Sequence, residues 1–237
     1  MSKVWVLQHT PCETLGTIAD VLETTGISSQ TVRVFEGAPV PKSIGDANGL
    51  IVMGGPMGVH DQSHCPFLTE EMRLIGQALQ EERPVMGICL GSQLLAATLG
   101  APVIKGERKE IGWYSVTLGE SAKSDVLWAD VEASFMAYHW HGDVFELPRN
   151  AVPLASSSLT RTQAFRYGHH TYGFLFHMEV TKKIIQGMVA TFTDELQEAK
   201  VDGDEILHQA EDYLPRLQRI GSLVFKRWAN TVTRASS

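Results

Sequence analysis

The residue in this sequence best suited to covalent chemistry is Cys89, which lies in the segment Gly87-Ile88-Cys89-Leu90-Gly91. Its G-x-C-x-G pattern stands between a short apolar run and a helix-forming stretch, as in a nucleophile elbow with Cys in place of Ser. Glycines suit such an elbow because the backbone is strained and its neighbours approach closely. A helix amino terminus beneath the sulfur would favour the thiolate, the reactive form of cysteine. We predict a nucleophile; the alternative is a buried structural cysteine.

A thiolate nucleophile needs a base that can also protonate the leaving group, and histidine is the usual choice. Of the nine histidines, His177 follows an apolar segment at residues 172–176, so it should emerge at a strand end. Glu179 stands two residues later, and residues i and i+2 of an extended segment point the same way. We predict that Glu179 contacts the imidazole of His177 and sets its tautomer. The alternative is a surface histidine beside a helix-capping glutamate.

Two other histidine pairs compete for a functional role. His139 and His141, followed by Asp143, have the H-x-H spacing of a metal site, but no third and fourth ligands with recognisable spacing accompany them. We therefore expect no metal there. His169 and His170 follow Gly168 in a predicted turn, which places them at the surface.

The first part of the chain alternates between strand and helix patterns. Strands are predicted at residues 4–7, 31–35, 50–53 and 84–88, and helices at residues 15–26, 67–83 and 92–99. Crossover helices make such strands parallel, so we predict an α/β fold, a three-layer sandwich around a mostly parallel sheet. Ligands bind at the carboxyl ends of the strands, where Gly54-Gly55-Pro56 and Cys89 both stand.

The later part of the chain changes pattern twice. Short alternating segments at residues 113–118, 134–140, 152–155 and 172–176 predict additional, antiparallel strands. Helices are predicted at residues 181–196, 204–213 and 215–232, with Pro215 as a break between the last two. An apolar stripe in this region is expected to pack on the same core, with a dimer or partner surface as the alternative. It consists of Leu214, Leu217, Ile220, Val224 and Trp228.

Composition narrows the class of protein. The 237 residues include 20 basic and 27 acidic side chains, a formal net charge of −7, and no lysine or arginine run, which disfavours nucleic-acid binding. The start of the chain is apolar for only a few residues and no 18-residue apolar run occurs, so we expect no membrane association and a cytoplasmic protein. Three cysteines without a C-x-x-C pair indicate neither a disulfide framework nor a structural zinc site.

Four segments, in this order along the chain, resemble the class I glutamine amidotransferases. They are Met53-Gly54-Gly55-Pro56, the elbow at residues 87–93, His141-Gly142-Asp143 and residues 172–181. The likeness spans roughly Val4 to Ile185 and is strongest to the amidotransferase domain of GMP synthase; the elbow combined with H-x-E is specific, whereas a single motif would not be. The resemblance implies the flavodoxin-like fold of that family for residues 1–190, with residues 191–237 as a helical extension packed on the same domain.

The resemblance also implies a mechanism without cofactor or metal. A Cys-His-Glu triad of Cys89, His177 and Glu179 would release ammonia from the side-chain amide of glutamine through a γ-glutamyl thioester. The backbone N–H groups of Gly55 and Leu90 would bind the oxyanion, and the elbow geometry independently favours a free N–H at Leu90. The substrate would be held by Gln93 and by the segment His141-Gly142-Asp143.

Two residues depart from the family pattern, which has H-P-E and a glutamine two residues before the histidine. Met178 replaces the proline, which leaves the triad geometry possible because proline there would only stiffen the turn. Leu175 replaces the glutamine and removes a polar group from near the site. We expect that change to affect contacts beyond the triad, such as coupling to a synthetase, more than hydrolysis.

GMP synthase carries an ATP-dependent synthetase domain where this chain has about 50 residues of helix, and the sequence contains no phosphate-binding loop. A separate synthetase subunit would then receive the ammonia, or no acceptor exists. The alternatives are a γ-glutamyl peptidase using the same triad and a non-catalytic binding module on the same fold.

Overall fold

A nine-stranded mixed sheet forms the centre of the structure, a computed structural model that describes residues 2–234. The segments expected from the sequence, residues 1–190 and 191–237, include Met1 and residues 235–237, which lie outside the described residues. The strands are β1 (Lys3–Gln8), β2 (Ser28–Arg33), β3 (Gly49–Val52), β4 (Val85–Ile88), β5 (Val103–Leu118), β6 (Ser134–Phe145), β7 (Val152–Ser156), β8 (Ala164–Tyr167) and β9 (Thr171–Phe174).

The described residues also form α-helices on both faces of this sheet. None of the helices within residues 2–234 has the length and apolar character needed to cross a membrane. Short 3-10 helices cover Val34–Glu36, Asp61–Ser63 and Glu120–Ser124. The α-helices are α1 (Thr17–Thr24), α2 (Phe67–Gln80), α3 (Leu90–Thr98), α4 (Lys182–Thr191), α5 (Thr193–Ala199) and α6 (Gly203–Arg234).

The strand order, β2-β1-β3-β4-β9-β8-β7-β5-β6, divides the sheet into a parallel and an antiparallel half. Strands β2, β1, β3, β4 and β9 run parallel, and the remaining pairings are antiparallel. In the register of β4 with β9, Ile88 lies opposite Phe174. The elbow that follows β4 therefore lies beside the segment that follows β9, which contains His177.

Alternating side chains of the central strands pack on two separate helical layers. In β3, Leu50 and Val52 join the core beneath α2 and α3, whereas Ile51 joins the core beneath α1 and α6. Continuous apolar strands of this kind are typical of parallel sheets covered on both faces. The predicted α/β three-layer sandwich is thus confirmed.

The prediction of a helix break at Pro215 is wrong, because α6 runs without interruption from Gly203 to Arg234. Pro215 is exposed, so its ring faces solvent. The backbone N–H that proline lacks is therefore lost on the solvent side of the helix and not in the core. The apolar stripe on the opposite face is buried: Leu217 and Val224 are fully inaccessible and Trp228 is 1 % exposed. Packing of that stripe on the core keeps the helix continuous through the proline.

Other element boundaries also differ from the prediction. The single helix expected at residues 181–196 is two helices, because Phe192 leaves helical dihedral angles (φ −105°, ψ 42°) and packs its ring on Trp140. Strand β5 begins ten residues earlier than expected, because residues 103–105 also pair with β6; the register shifts between Lys105 and Glu110, and pairing then continues to Thr117. Strand β8 was not predicted. His169 and His170 lie in the predicted turn, between β8 and β9.

Candidate active site

Cys89 lies at a sharp turn from strand β4 into helix α3. It has φ 50° and ψ −111°, a left-handed conformation that costs a non-glycine residue free energy. Its N–H donates to the Phe174 carbonyl oxygen at 2.8 Å, and its carbonyl oxygen accepts from the N–H of Ser92 and Gln93 in the first turn of the helix. A Cβ at Gly91 would lie 2.0 Å from the Val52 carbonyl oxygen, so only glycine allows α3 to approach β3 this closely. These contacts hold the strained backbone of Cys89 in place.

His177 and Glu179 are brought together behind Cys89. His177 Nδ1 lies 2.7 Å from Glu179 Oε1, and both side chains are buried. The His177 N–H donates to the Tyr138 carbonyl oxygen at 2.8 Å, and the Glu179 carbonyl oxygen accepts from the Thr17 N–H at 2.9 Å. Burial alone would lower the pKa of His177, but the Glu179 carboxylate and the nearby Cys89 raise it well above its usual value. A raised pKa makes the imidazole a stronger base.

The thiol of Cys89 is near His177 without a direct hydrogen bond to it. Sγ donates to the Trp140 carbonyl oxygen at 3.4 Å, while His177 Nε2 has no hydrogen-bond partner within residues 2–234. Burial raises the pKa of the Cys89 thiol, although His177 and the Leu90 N–H act in the opposite direction. Burial of the sulfur thus opposes the thiolate that the helix terminus favours. Such contacts commonly tighten only when substrate is bound.

A buried ion pair anchors the Gly54-Gly55 peptide beside Cys89. His9 Nδ1 lies 3.0 Å from the Gly54 carbonyl oxygen and Nε2 lies 2.9 Å from Glu71 Oε2. The Gly54 carbonyl oxygen can only accept, so Nδ1 donates to it, and Nε2 faces the Glu71 carboxyl group. Burial alone would lower the pKa of His9, but Glu71 and the Gly54 carbonyl raise it. Because carbonyl and N–H point in opposite directions across a trans peptide, this contact turns the Gly55 N–H away from His9.

The other predicted binding residues surround a cavity of about 260 Å³ over Cys89. Gln93 Nε2 donates to the backbone carbonyl oxygen of Asp143 at 3.0 Å, which ties helix α3 to strand β6. Lys105 and Lys109 also line the cavity. The predicted site residues in its wall are Gly55, Cys89, Gln93, His141, Gly142 and Asp143.

His141 is part of a buried network centred on Glu110 of strand β5. Glu110 accepts from Ser157 Oγ at 2.6 Å, from Thr160 Oγ1 at 2.5 Å and from Gln163 Nε2 at 2.8 Å. Its Oε2 is also 3.3 Å from His141 Nε2. Although burial would raise the pKa of Glu110, the hydrogen bonds from His141, Ser157 and Thr160 lower it to about 2. The network fixes the strand that carries the His141-Gly142-Asp143 segment.

Glu110, His139 and His141 place three ligand-type atoms within 4.8 Å of one another. His139 Nδ1 lies 3.4 Å from His141 Nε2, and burial lowers the pKa of His139 to about 3. Oε2 of Glu110 already accepts from Thr160 and Gln163 and Oε1 accepts from Ser157, so a metal ion on Oε2, the oxygen nearest His141, would have to displace a donor. The set differs from the H-x-H plus Asp143 alternative considered from the sequence, since Glu110 takes the place of Asp143.

The two departures from the family pattern fall in the cores. Leu175 is fully buried beneath α2 and α3, and Met178 is buried in the other core. Helix α6 contacts the triad segment directly: a Cβ at Gly221 would lie 2.7 Å from the Met178 carbonyl oxygen, and Gln218 Nε2 donates to the Val180 carbonyl oxygen at 3.0 Å. The C-terminal helix thereby supports the segment that carries His177 and Glu179.

Sequence reasoning missed three groups around the site: Glu13, the pair of His9 with Glu71, and Glu110. His9 is the only one with a local signal, because it directly follows strand β1 and so stands at the carboxyl edge of the sheet. The partner of His9 lies 62 positions away, and Gln163 lies 53 positions from Glu110. No sequence pattern connects residues at such separations.

Comparison with known proteins agrees with the fold and with the motifs. The family model for glutamine amidotransferase class-I matches residues 14–194. A glutamine amidotransferase-like protein of Salmonella typhimurium, YfeJ, is 34% identical over 201 residues, 84% of this chain and 84% of that protein. A glutamine-hydrolysing GMP synthase subunit of Methanocaldococcus jannaschii is 31% identical over 163 residues, 67% of this chain and 79% of that protein.

A solved structure has the same architecture over nearly the whole chain. The crystal structure of a glutamine amidotransferase from Thermotoga maritima superposes with a TM-score of 0.87 at 30% identity, covering 96% of this chain and 98% of that one. The helices at the end of the chain are therefore part of the shared architecture.

Proposed function

Because the chain belongs to the class I glutamine amidotransferase family, we propose that it hydrolyses the side-chain amide of glutamine through a γ-glutamyl thioester on Cys89. In the first half-reaction, Cys89 Sγ attacks the amide carbon and its proton passes to His177 Nε2. The carbonyl oxygen becomes an oxyanion that accepts hydrogen bonds from the N–H groups of Gly55 and Leu90. The carbon–nitrogen bond then breaks, His177 returns the proton to the nitrogen, and ammonia leaves.

In the second half-reaction, water attacks the thioester carbon and gives its proton to His177. The carbon–sulfur bond breaks, glutamate leaves, and the proton returns to Cys89. Glu179 accepts the Nδ1–H of His177 throughout, which keeps Nε2 directed at the reacting atoms. Gln93 and the His141-Gly142-Asp143 segment line the cavity where the substrate's α-amino and carboxylate groups would be held.

One observation carries the proposal: a buried His177–Glu179 pair lies behind a cysteine held in left-handed backbone conformation, at the floor of a cavity. A structural cysteine needs none of these features. The strained backbone, the anchored Gly54-Gly55 peptide and the oriented imidazole each cost folding free energy, and they share one location.

The experiment is glutamate release from glutamine by the purified protein, alongside Cys89→Ala and a matched control, Cys65→Ala. Cys65 is partly exposed and lies outside the cavity wall. We expect activity that is lost in Cys89→Ala and retained in Cys65→Ala. A glutamine-like electrophile should label Cys89 faster than Cys12 or Cys65, as determined by mass spectrometry.

Other outcomes distinguish the alternatives. Turnover of γ-glutamyl dipeptides in preference to glutamine identifies a γ-glutamyl peptidase with the same triad. Equal activity of wild type and Cys89→Ala contradicts the mechanism. Slow labelling of Cys89 together with no turnover identifies a binding module.

We further propose that the ammonia, if it is used, is received by a separate synthetase subunit. One relative is named as a single subunit of GMP synthase, a name that implies a second subunit in that enzyme. The test is co-purification of a partner that raises glutamine turnover, since partners often complete such sites by conformational closure.

A further inference from the structure

Glu13 is a carboxyl group in the wall of the Cys89 cavity that the triad does not use. It lies in the loop between β1 and α1 and is only 3 % exposed. None of the hydrogen bonds and ion pairs formed within residues 2–234 involves its carboxylate. Buried carboxylates are nearly always paired because desolvation of an unpaired charge costs free energy. A buried, unpartnered carboxylate facing a cavity points to a missing cationic or N–H donor ligand.

The position of Glu13 identifies which part of a substrate it meets. A Cβ built on Gly54 would lie 1.9 Å from Glu13 Oε2 and 3.2 Å from His177 Cε1, so the carboxylate sits beside the edge of the imidazole. His177 Nε2, bonded to that same carbon, is the atom that protonates the leaving group. Glu13 therefore lies close to the imidazole that would deliver this proton, and it lines the same cavity as Cys89 and the predicted binding residues Gln93 and Asp143.

We propose that Glu13 forms a subsite for the departing nitrogen, an inference that rests on the proposed function. Its carboxylate would accept hydrogen bonds from the N–H groups of that nitrogen and hold the product as ammonium. The amide nitrogen of glutamine carries two hydrogens, of which His177 uses neither. When the carbon–nitrogen bond breaks, the proton on His177 Nε2 moves to the nitrogen and the product is ammonia. Glu13 accepts a hydrogen bond from that nitrogen before and after cleavage. Water then gives a further proton to ammonia, and the resulting ammonium pairs with the Glu13 carboxylate. The hydroxide formed from that water is neutralised by buffer.

The charges around Glu13 fit this role. Burial raises the pKa of Glu13 to about 7; His177 and His9 lower it, while Glu179 and Glu195 raise it. The carboxylate is thus poorly neutralised by the protein itself. A ligand that carries positive charge would complete the site.

The test compares Glu13→Gln and Glu13→Met with wild type on two substrates, glutamine and glutamate γ-methyl ester. We measure kcat/KM, which reports the steps up to thioester formation. The ester oxygen carries no hydrogen in the ground state and never becomes a cation. For glutamine we expect kcat/KM to fall about 10-fold in Glu13→Gln and about 100-fold in Glu13→Met, the range for loss of a hydrogen bond to a charged group. For the ester we expect less than about a threefold change.

Glu70→Gln is the matched control, because it makes the same chemical change at an exposed position of helix α2, outside the cavity wall. Its replacement should leave the ratio of amide to ester turnover unchanged. An equal fall for both substrates in the Glu13 variants would overturn the proposal and assign Glu13 a structural role, and so would no fall for either.

A second measurement does not depend on turnover. We compare the rate at which Cys89 is modified by 2-aminoethyl methanethiosulfonate, which carries an ammonium, with that of uncharged methyl methanethiosulfonate, following the Cys89 peptide by mass spectrometry. The ratio of the two rates should fall about tenfold or more in Glu13→Gln, since a unit charge close to the sulfur is removed. An unchanged ratio would overturn the ammonium subsite even if glutamine is hydrolysed. If wild type shows no glutaminase activity but the ratio falls, the proposed function fails and the subsite stands.

Thermal stability provides an independent test of whether the Glu13 carboxylate is unpaired. Glu13→Gln should melt at the same or a higher temperature than wild type at pH 8, because an unpaired buried carboxylate is removed. A lower melting temperature would mean that Glu13 stabilises the fold, contrary to the proposal.

Discussion

Replacing Gly91 by alanine should push helix α3 away from strand β3 and weaken the proposed oxyanion hole. The added Cβ would lie 2.0 Å from the Val52 carbonyl oxygen, 2.6 Å from its carbon and 2.9 Å from Val52 Cβ. Contacts of a Cβ shorter than 3.0 Å essentially do not occur, so the two elements must separate by about 1 Å. Two of the clashing atoms are backbone, so no side-chain rotation relieves the contact.

This displacement acts on both expected oxyanion donors. Leu90 is the first residue of α3, and Gly55 follows β3, so widening the contact moves the two N–H groups apart. A misplacement of about 1 Å in a catalytic geometry can cost about 100-fold in rate. We expect kcat for glutamine to fall about 100-fold, and overpacking to lower the free energy of unfolding by about 1–3 kcal/mol. The assays are glutamate release and chemical denaturation.

Gly76→Ala is the matched control, because it makes the same chemical change in helix α2. There the added Cβ would lie 3.7 Å from Thr98 Cγ2, an ordinary van der Waals distance. Removing glycine from a helix interior should raise stability by about 0.5–1 kcal/mol without changing kcat. Wild-type activity and stability in Gly91→Ala would refute the argument that strand and helix approach as closely as only glycine allows. A loss in both variants would show that glycine replacement is harmful regardless of contact.

Three further predictions concern stability. Pro215→Ala should raise the free energy of unfolding by up to about 3 kcal/mol, since it restores a helical hydrogen bond in a helix that is already continuous; a decrease in denaturant experiments would contradict this account. Trp228→Ala should lower it by about 3–5 kcal/mol in a single unfolding transition, because we propose that residues 191–237 pack on the same domain; two transitions would indicate an independent unit. Hydrogen bonds lower the pKa of Glu110 to about 2 against the effect of burial. Its carboxylate should therefore contribute about 3 kcal/mol to the free energy of unfolding above pH 4.5, and this contribution is lost as pH falls towards 2. Glu110→Gln should remove that part of the acid dependence, measured as melting temperature against pH.

The features that sequence analysis predicted correctly are local in the chain. The family and the α/β fold follow from strand, glycine and helix patterns, each contained within about 20 residues. The Cys89 turn is one such pattern, since the end of β4, Cys89 and the start of α3 are consecutive. The predicted contact of Glu179 with His177 is likewise local, since the two residues are two positions apart, although β9 ends at Phe174 and residues 178 and 179 form a bend.

The same local rules misled where packing outweighed them. A proline usually ends a helix, yet the buried face of α6 holds it together through Pro215. Alternation predicts a strand only from residue 113, yet backbone pairing of residues 103–105 and 110–112 with β6 extends it towards the N terminus. In both cases the deciding contacts come from elements distant in sequence, so periodicity could not reveal them.

What only the tertiary structure decided is the environment of the site. Glu13 in the cavity wall, His9 with Glu71 behind the Gly54-Gly55 peptide, and the donors around Glu110 come from separate segments that meet at one edge of the sheet. The sequence by itself determined which side chains are suited to covalent chemistry, because that depends on side-chain type and local backbone. The folded chain determined which charges surround them, because burial and pairing are properties of packing rather than of order along the chain.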